Sequence, residues 1–154
     1  MAHGRITNQE IEIMDALYES GINIIHYEPP LIHTLILQEG LYYRDVETIK
    51  KFRSSKIRKA LDINEKNVYD FTILHESINE EKIKNIIELL RDGADPFIKC
   101  ESENALELAE RMYNDYETNH RRYIVKIFRY IMIENGKIEN IFYDRTDKLK
   151  INRL

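Results

Sequence analysis

Cys100 is the only cysteine in the chain. An intramolecular disulfide is therefore excluded, no Cys/His cluster with zinc spacing accompanies it, and the thiol is expected to sit inert in a reducing compartment. Tryptophan is absent, proline occurs three times and glycine five times. So few glycines leave no phosphate-cradling loop, and neither a Gly-x-Ser-x-Gly elbow nor a His-Glu-x-x-His helix occurs. No apolar run reaches the roughly eighteen residues of a membrane span. The segment Met1 to Glu10 is polar and lacks the apolar core of a secretory signal. These absences lead us to expect a cytoplasmic or nuclear protein with no membrane insertion, no metal site, no cofactor and no catalytic residues, hence not an enzyme.

What is present fits one compact domain over residues 1–154. Hydrophobic residues make up 43% and charged residues 32%, enough of each for a soluble core and shell. A formal net charge of -4 argues against a chain dominated by nucleic-acid binding. Isoleucine, asparagine, lysine and tyrosine are plentiful while alanine is sparse, a bias common in AT-rich genomes such as those of viruses and intracellular bacteria.

One stretch is a self-contained unit. Thr72-Ile73-Leu74-His75 opens a short helix to about Asn79, and a second helix follows from about Glu81 to Arg91. In that second helix Ile83, Ile86, Ile87 and Leu90 fall at helical spacing. Gly93 ends it in the left-handed position that favours glycine, and Ala94-Asp95-Pro96 turns the chain outward.

This unit resembles an ankyrin repeat. The family pattern begins its inner helix with Thr-Pro-Leu-His, here matched by Thr72, Leu74 and His75 with Ile73 in the proline place, and follows its outer helix with Gly-Ala-Asp, here Gly93-Ala94-Asp95. The 21 residues from Thr72 to Gly93 are the family spacing. The register extends to Asn104-Ala105-Leu106-Glu107-Leu108-Ala109, which opens the next inner helix with Asn104 as its cap. A lengthened polar turn, Asn114 to Arg122, precedes an outer helix from about Tyr123 to Glu134, stopped at Asn135-Gly136.

Toward the N-terminus, Ile11, Met14, Leu17 and Tyr18 mark a helix ending at Gly21. Pro30-Leu31-Ile32-His33 then stands where Thr-Pro-Leu-His would stand. A partner helix from Arg44 to Phe52 precedes a finger from Lys56 to Tyr69.

The resemblance implies an all-α ankyrin-repeat solenoid of stacked helix pairs. It has about three repeats over residues 8–139, an N-terminal outer helix and a C-terminal cap or tail at 140–154. The irregular turns are similar to those of poxvirus-type ankyrin proteins.

What the resemblance implies is recognition, since stacked repeats present a long concave surface instead of a deep pocket. The expected function is a protein–protein interaction module that binds or sequesters a cellular protein, in its concrete form a viral or intracellular-pathogen host-range factor, with a small helical enzyme as an alternative of another class. Fingers end just before each inner helix. They place Tyr27 and Glu28, then Val68, Tyr69, Asp70 and Phe71, then Glu101 and Glu103, at the groove, with Glu81 and Lys82 at its rim. Tyr69 and Phe71 either anchor a partner or pack back onto a neighbouring repeat. Glu76, Asn79 and Glu107 complete an acidic rim suited to a partner with a basic surface. End helices left bare offer a face on which two copies could pair.

Five histidines invite an active-site reading: His3, His26, His33, His75 and His120. In ankyrin repeats the imidazole at the place of His33 and His75 hydrogen-bonds backbone groups and ties neighbouring units, so a structural role is expected. The run Lys50 to Lys59 holds six cations in ten residues. It reads either as a solvated outer-helix face or as an alternative site for nucleic acid or anionic lipid. A weaker basic cluster comprises Arg121, Arg122, Lys126 and Arg129. Ile141, Phe142 and Tyr143 are too apolar for a free linker and are read as a cap, with a short partner-binding motif as the alternative.

Overall fold

The computed structural model describes residues 5–144, 146 and 148–153, so His3 lies outside the described residues. The chain is mainly helical, with one two-stranded antiparallel sheet among the described residues. It divides into two compact units, Met1–Tyr69 and Asp70–Leu154. No helix among the described residues is long and apolar enough to cross a membrane.

In the first unit, α1 (Asn8–Glu19) begins at Thr7, whose hydroxyl accepts the Glu10 N–H at 3.1 Å. It ends where Gly21 takes φ +85° and the Ile22 N–H reaches back to the Leu17 carbonyl at 3.1 Å. Helix α2 (Leu31–His33) runs into a π-helical turn, Thr34–Gln38. Gly40 at φ +61° then leads to a 3₁₀ turn, Leu41–Tyr43. This irregular stretch covers the core: Leu41 and Tyr42 are buried, and the Arg44 Nε donates to the Ile6 carbonyl at 2.9 Å.

Helix α3 (Val46–Arg53) starts two residues later than the sequence predicts. Asp45 takes the cap by accepting the Thr48 N–H at 2.9 Å. Helix α4 (Lys56–Ala60) then occupies ground expected to be an extended finger. Buried Ser55 accounts for the difference. Its hydroxyl donates to the Phe52 carbonyl at 2.6 Å and accepts the Arg58 N–H at 3.1 Å, closing one helix and opening the next. Asp15 on α1 accepts the Ile57 N–H at 2.8 Å, and Lys51 and Lys56 pair with Glu12 and Glu19 of α1. Phe52 and Ile57 are fully buried, and each contributes about 1.5–3 kcal/mol. The exposed ion pairs add little.

The second unit holds α5 (Ile73–Asn79), α6 (Ile83–Arg91), α7 (Ala105–Asp115) and α8 (Asn119–Met132). Helix α5 packs against both α6 and α7, and α7 packs against α8. Leu89 is fully buried and Leu90 only partly so, which rotates the apolar face of α6 slightly from its predicted position. Gly93 at φ +95° closes α6, with the Ala94 N–H on the Leu89 carbonyl at 2.9 Å.

Asn104 and Glu107 form a reciprocal capping box at the start of α7. The polar stretch expected as a long turn after α7 is mostly helical, and only residues 116–118 separate α7 from α8. Thr118 caps α8, while Arg121 donates through Nη1 to the Met112 carbonyl at 2.7 Å. The same carbonyl accepts the Tyr116 N–H at 3.1 Å, so the guanidinium is its second donor and ties the start of α8 to the end of α7.

The tail forms a 3₁₀ turn (Ile138–Asn140) and a hairpin of β1 (Ile141–Tyr143) and β2 (Leu149–Ile151), with Ile141 opposite Ile151. Strand β1 lies against α6, and Ile141 is fully buried. A clasp around Tyr130 holds the tail to α8. The Tyr130 hydroxyl accepts from Asn140 Nδ2 at 2.8 Å, and the Arg153 guanidinium lies 5.5 Å from the ring centroid. Arg153 also grips the Glu134 carboxylate with two bonds of 2.8 and 3.1 Å. A Cβ at Gly136 would fall 2.1–2.4 Å from ring carbons of Tyr130. Gly136→Ala is therefore expected to cost about 1–3 kcal/mol by overpacking a ring that is buried and pinned. Chemical denaturation checks this, and an unchanged midpoint would show that the ring can move aside.

Candidate functional site

Two buried histidines hold the turns that carry the candidate residues. His75 sits at the third position of α5. Thr72 caps that helix by accepting the His75 N–H at 3.2 Å, and the same hydroxyl lies 3.0 Å from His75 Nδ1. His75 Nε2 lies 2.9 Å from the carbonyl of Glu103, 28 residues on. A carbonyl can only accept, so Nε2 carries the proton and Nδ1 is left to accept from the Thr72 hydroxyl. The first unit repeats the carbonyl contact but not the cap, since Pro30 stands in the place of Thr72. His33, at the corresponding place in α2, lies 2.9 Å through Nε2 from the carbonyl of Glu65, 32 residues on. His33 and His75 are 3% and 1% exposed.

Both accepting glutamates are held a second time through their side chains. Glu65 meets His26 Nδ1 at 3.2 Å. Glu103 takes Arg111 in a two-bond pair at 2.8 and 2.9 Å. The guanidinium bonds hold the Glu103 carboxyl below the usual glutamate range, and the charge of Arg111 acts in the same direction against its partial burial. Arg111 is raised by the same pair.

Between Cys100 and Glu103 the backbone closes a tight turn through two bonds, of 2.9 and 3.0 Å. Its central residues, Glu101 and Ser102, both take positive φ, 50° and 71°. That is the signature of a type I′ turn, usually filled by Asn-Gly. With side chains at both positions it costs roughly 1–2 kcal/mol per residue, and the bonds at its base hold it.

The candidate residues distribute as follows. In the first unit Tyr27, Glu28, Val68 and Tyr69 are all exposed, the apolar three at 63%, 69% and 72%. They are brought together: the Glu28 carboxylate accepts the Val68 N–H at 3.1 Å, and the Tyr69 N–H bonds to Asn67 Oδ1 at 3.0 Å. In the second unit Asp70 is exposed at φ +68°, and Phe71 is partly buried beside the Thr72 cap. Glu81 holds the α5–α6 turn at φ +55°, its carboxylate 3.5 Å from Arg121 Nε, and Lys82 is exposed. Glu101 is exposed at the turn tip, while Glu103 lies at the base, occupied by His75 and Arg111.

Sequence reasoning passed over Phe97, which is 59% exposed beside the Asp95 turn. The signal was an aromatic placed directly after Asp-Pro. In the basic run, Lys51 and Lys56 are paired to α1, and Arg53 lies 5.8 Å from the Tyr42 ring centroid. Among the described residues no group of histidine, cysteine and carboxylate side chains could hold a metal ion. The chain matches no protein-family model and no curated protein.

Two outcomes follow. His75→Ala leaves the Glu103 carbonyl and the Thr72 hydroxyl short of partners in a buried site, and should destabilise the fold by about 1–3 kcal/mol in chemical denaturation. An unchanged midpoint would contradict the tie. Because the Glu103 carboxyl is depressed in the folded state, its contribution is present above the unfolded value near pH 4.3 and is lost as pH falls through the lower folded value. The melting-temperature gap between the native chain and Glu103→Gln should therefore be full at pH 7 and close below about pH 4. A gap independent of pH would mean that the carboxylate charge is not the cause.

Proposed function

We propose that the chain is an ankyrin-type repeat protein that binds another protein through the exposed tips of its inter-helix turns. The observation that carries this reading is the histidine tie, made once in each unit to a backbone carbonyl about thirty residues on. In the second unit α5 also lies beside α7, and both helices start at side-chain caps three residues before His75 and Glu107. Such ties fix the base of each turn and leave its tip to solvent. A held backbone that displays apolar side chains loses little ordering entropy on binding.

Val68 and Tyr69 form the most exposed apolar tip, with Tyr27 joined to it through Glu28. Exposed tyrosines on a rigid base are favoured interface anchors, and neither tip residue belongs to a core. The partner is a protein with an apolar depression that accepts a tyrosine ring, bordered by a basic group that meets Glu28.

The test uses a Val68→Ser, Tyr69→Ala double variant. It should change stability by less than about 0.5 kcal/mol. In quantitative affinity capture from cells it should lose a specific partner of the native chain, and purified components should bind at least about tenfold more weakly. If both chains retain the same partner with equal affinity, the tip is not the interface.

A further inference from the structure

A cleft runs between α7 and α8, lined by residues that take no part in the turn tips. Arg122, Lys126 and Arg129 recur along α8 at spacings of four and three residues, which sets all three on one face. They line a hollow of about 250 Å³ with Glu110, Tyr113 and Val125. A neighbouring hollow of about 380 Å³ shares Tyr113 and Arg122 and continues to Thr118 and Asn119.

The charge in this cleft is not balanced. Arg129 is paired with Glu110 at 2.7 Å. Arg122 donates only to the neutral Asn119 amide, at 2.8 Å, and Lys126 has no carboxylate partner among the described residues. Elsewhere Lys51, Lys56, Arg91, Arg111 and Arg153 each face a carboxylate. Arg122 and Lys126 thus stand one turn apart on α8, exposed beside the Tyr113 ring.

We infer that this cleft binds an acidic, extended peptide segment of a partner protein. The stripe from Asn119 to Arg129 runs roughly 15 Å at 1.5 Å per residue, the length of four or five extended residues at about 3.3 Å each. The hollow beside Thr118 and Asn119 is open to solvent, which suits an extended segment more than an enclosed small ligand. Carboxylates of the segment would meet Arg122 and Lys126. The Asn119 amide and Thr118 hydroxyl would meet its backbone, and the Tyr113 ring would pack against its side chains. Glu110 and Glu117, also on the lining, would repel the continuous charge of a nucleic-acid backbone, whereas a peptide can place neutral residues opposite them. The inference is independent of the turn tips, since it uses none of their residues.

The test is fluorescence anisotropy of the full chain with a labelled hexapeptide of alternating glutamate and glycine, and with a single-stranded oligonucleotide of equal charge. Saturable peptide binding should weaken at least tenfold in Arg122→Gln, Lys126→Gln, should fall with added salt, and should be unchanged in Lys59→Gln, which removes an exposed cation from the other unit. Neither cleft substitution touches a buried group, so the melting temperature should hold. No saturable peptide binding, equal weakening in Lys59→Gln, or tighter binding of the oligonucleotide than of the peptide would each overturn the inference.

Discussion

An imidazole donating through Nε2 to a distant backbone carbonyl is the contact on which the described architecture turns. Buried polar groups must find partners or cost free energy, and His33 and His75 find theirs in the carbonyls of Glu65 and Glu103. Each bond closes a long stretch of chain. Between His75 and Glu103 lie the remainder of α5, helix α6 and an outward turn, and between His33 and Glu65 lie the π-helical and 3₁₀ turns, α3 and α4. Each stretch buries a few apolar residues, Leu61 and Ile63 in one and Ala94 and Cys100 in the other, and the imidazole bond adds a polar anchor at its end. Arg111 and His26 then brace the same glutamates from their side chains.

Holding the base of a turn changes what its tip can be. Glu101 and Ser102 occupy left-handed backbone that most side chains avoid, and Val68 and Tyr69 project apolar surface into water. Neither feature favours folding. Both are sustained because the ties and caps beneath them contribute more than the tips cost. The arrangement suits a molecule whose turns do the recognising, as we propose, and it separates the residues that fix the fold from those that meet a partner.

The sequence made the strongest helices legible. Thr72 to Arg91 carried both a cap and an apolar period, and α5 and α6 form there. Helix α7 was marked by Asn104 and its alanines, and α1 by its glycine stop. Helix α4 was not legible, because five residues with one buried anchor, Ile57, show no period, and beside the Ser55 cap its first turn is held by Asp15 from another helix. The turn after α7 was misread for the same kind of reason. Its polar residues are helical because Thr118 and Arg121 close the helix ends, a tertiary effect that composition does not carry. The tail hairpin escaped notice because three-residue strands leave too short a pattern. Among the candidate site residues, exposure at Tyr27, Val68 and Tyr69 followed from their place outside the helices. The second role of Glu103, as a base held by Arg111, required coordinates.

The histidine tie can be read directly by ¹⁵N-detected NMR of the imidazole rings. Two of the chain's histidines, assigned as His33 and His75, should be fixed in the tautomer with the proton on Nε2, and that proton should exchange slowly with water. Imidazoles at these two positions that average between tautomers and exchange their protons rapidly would contradict the account.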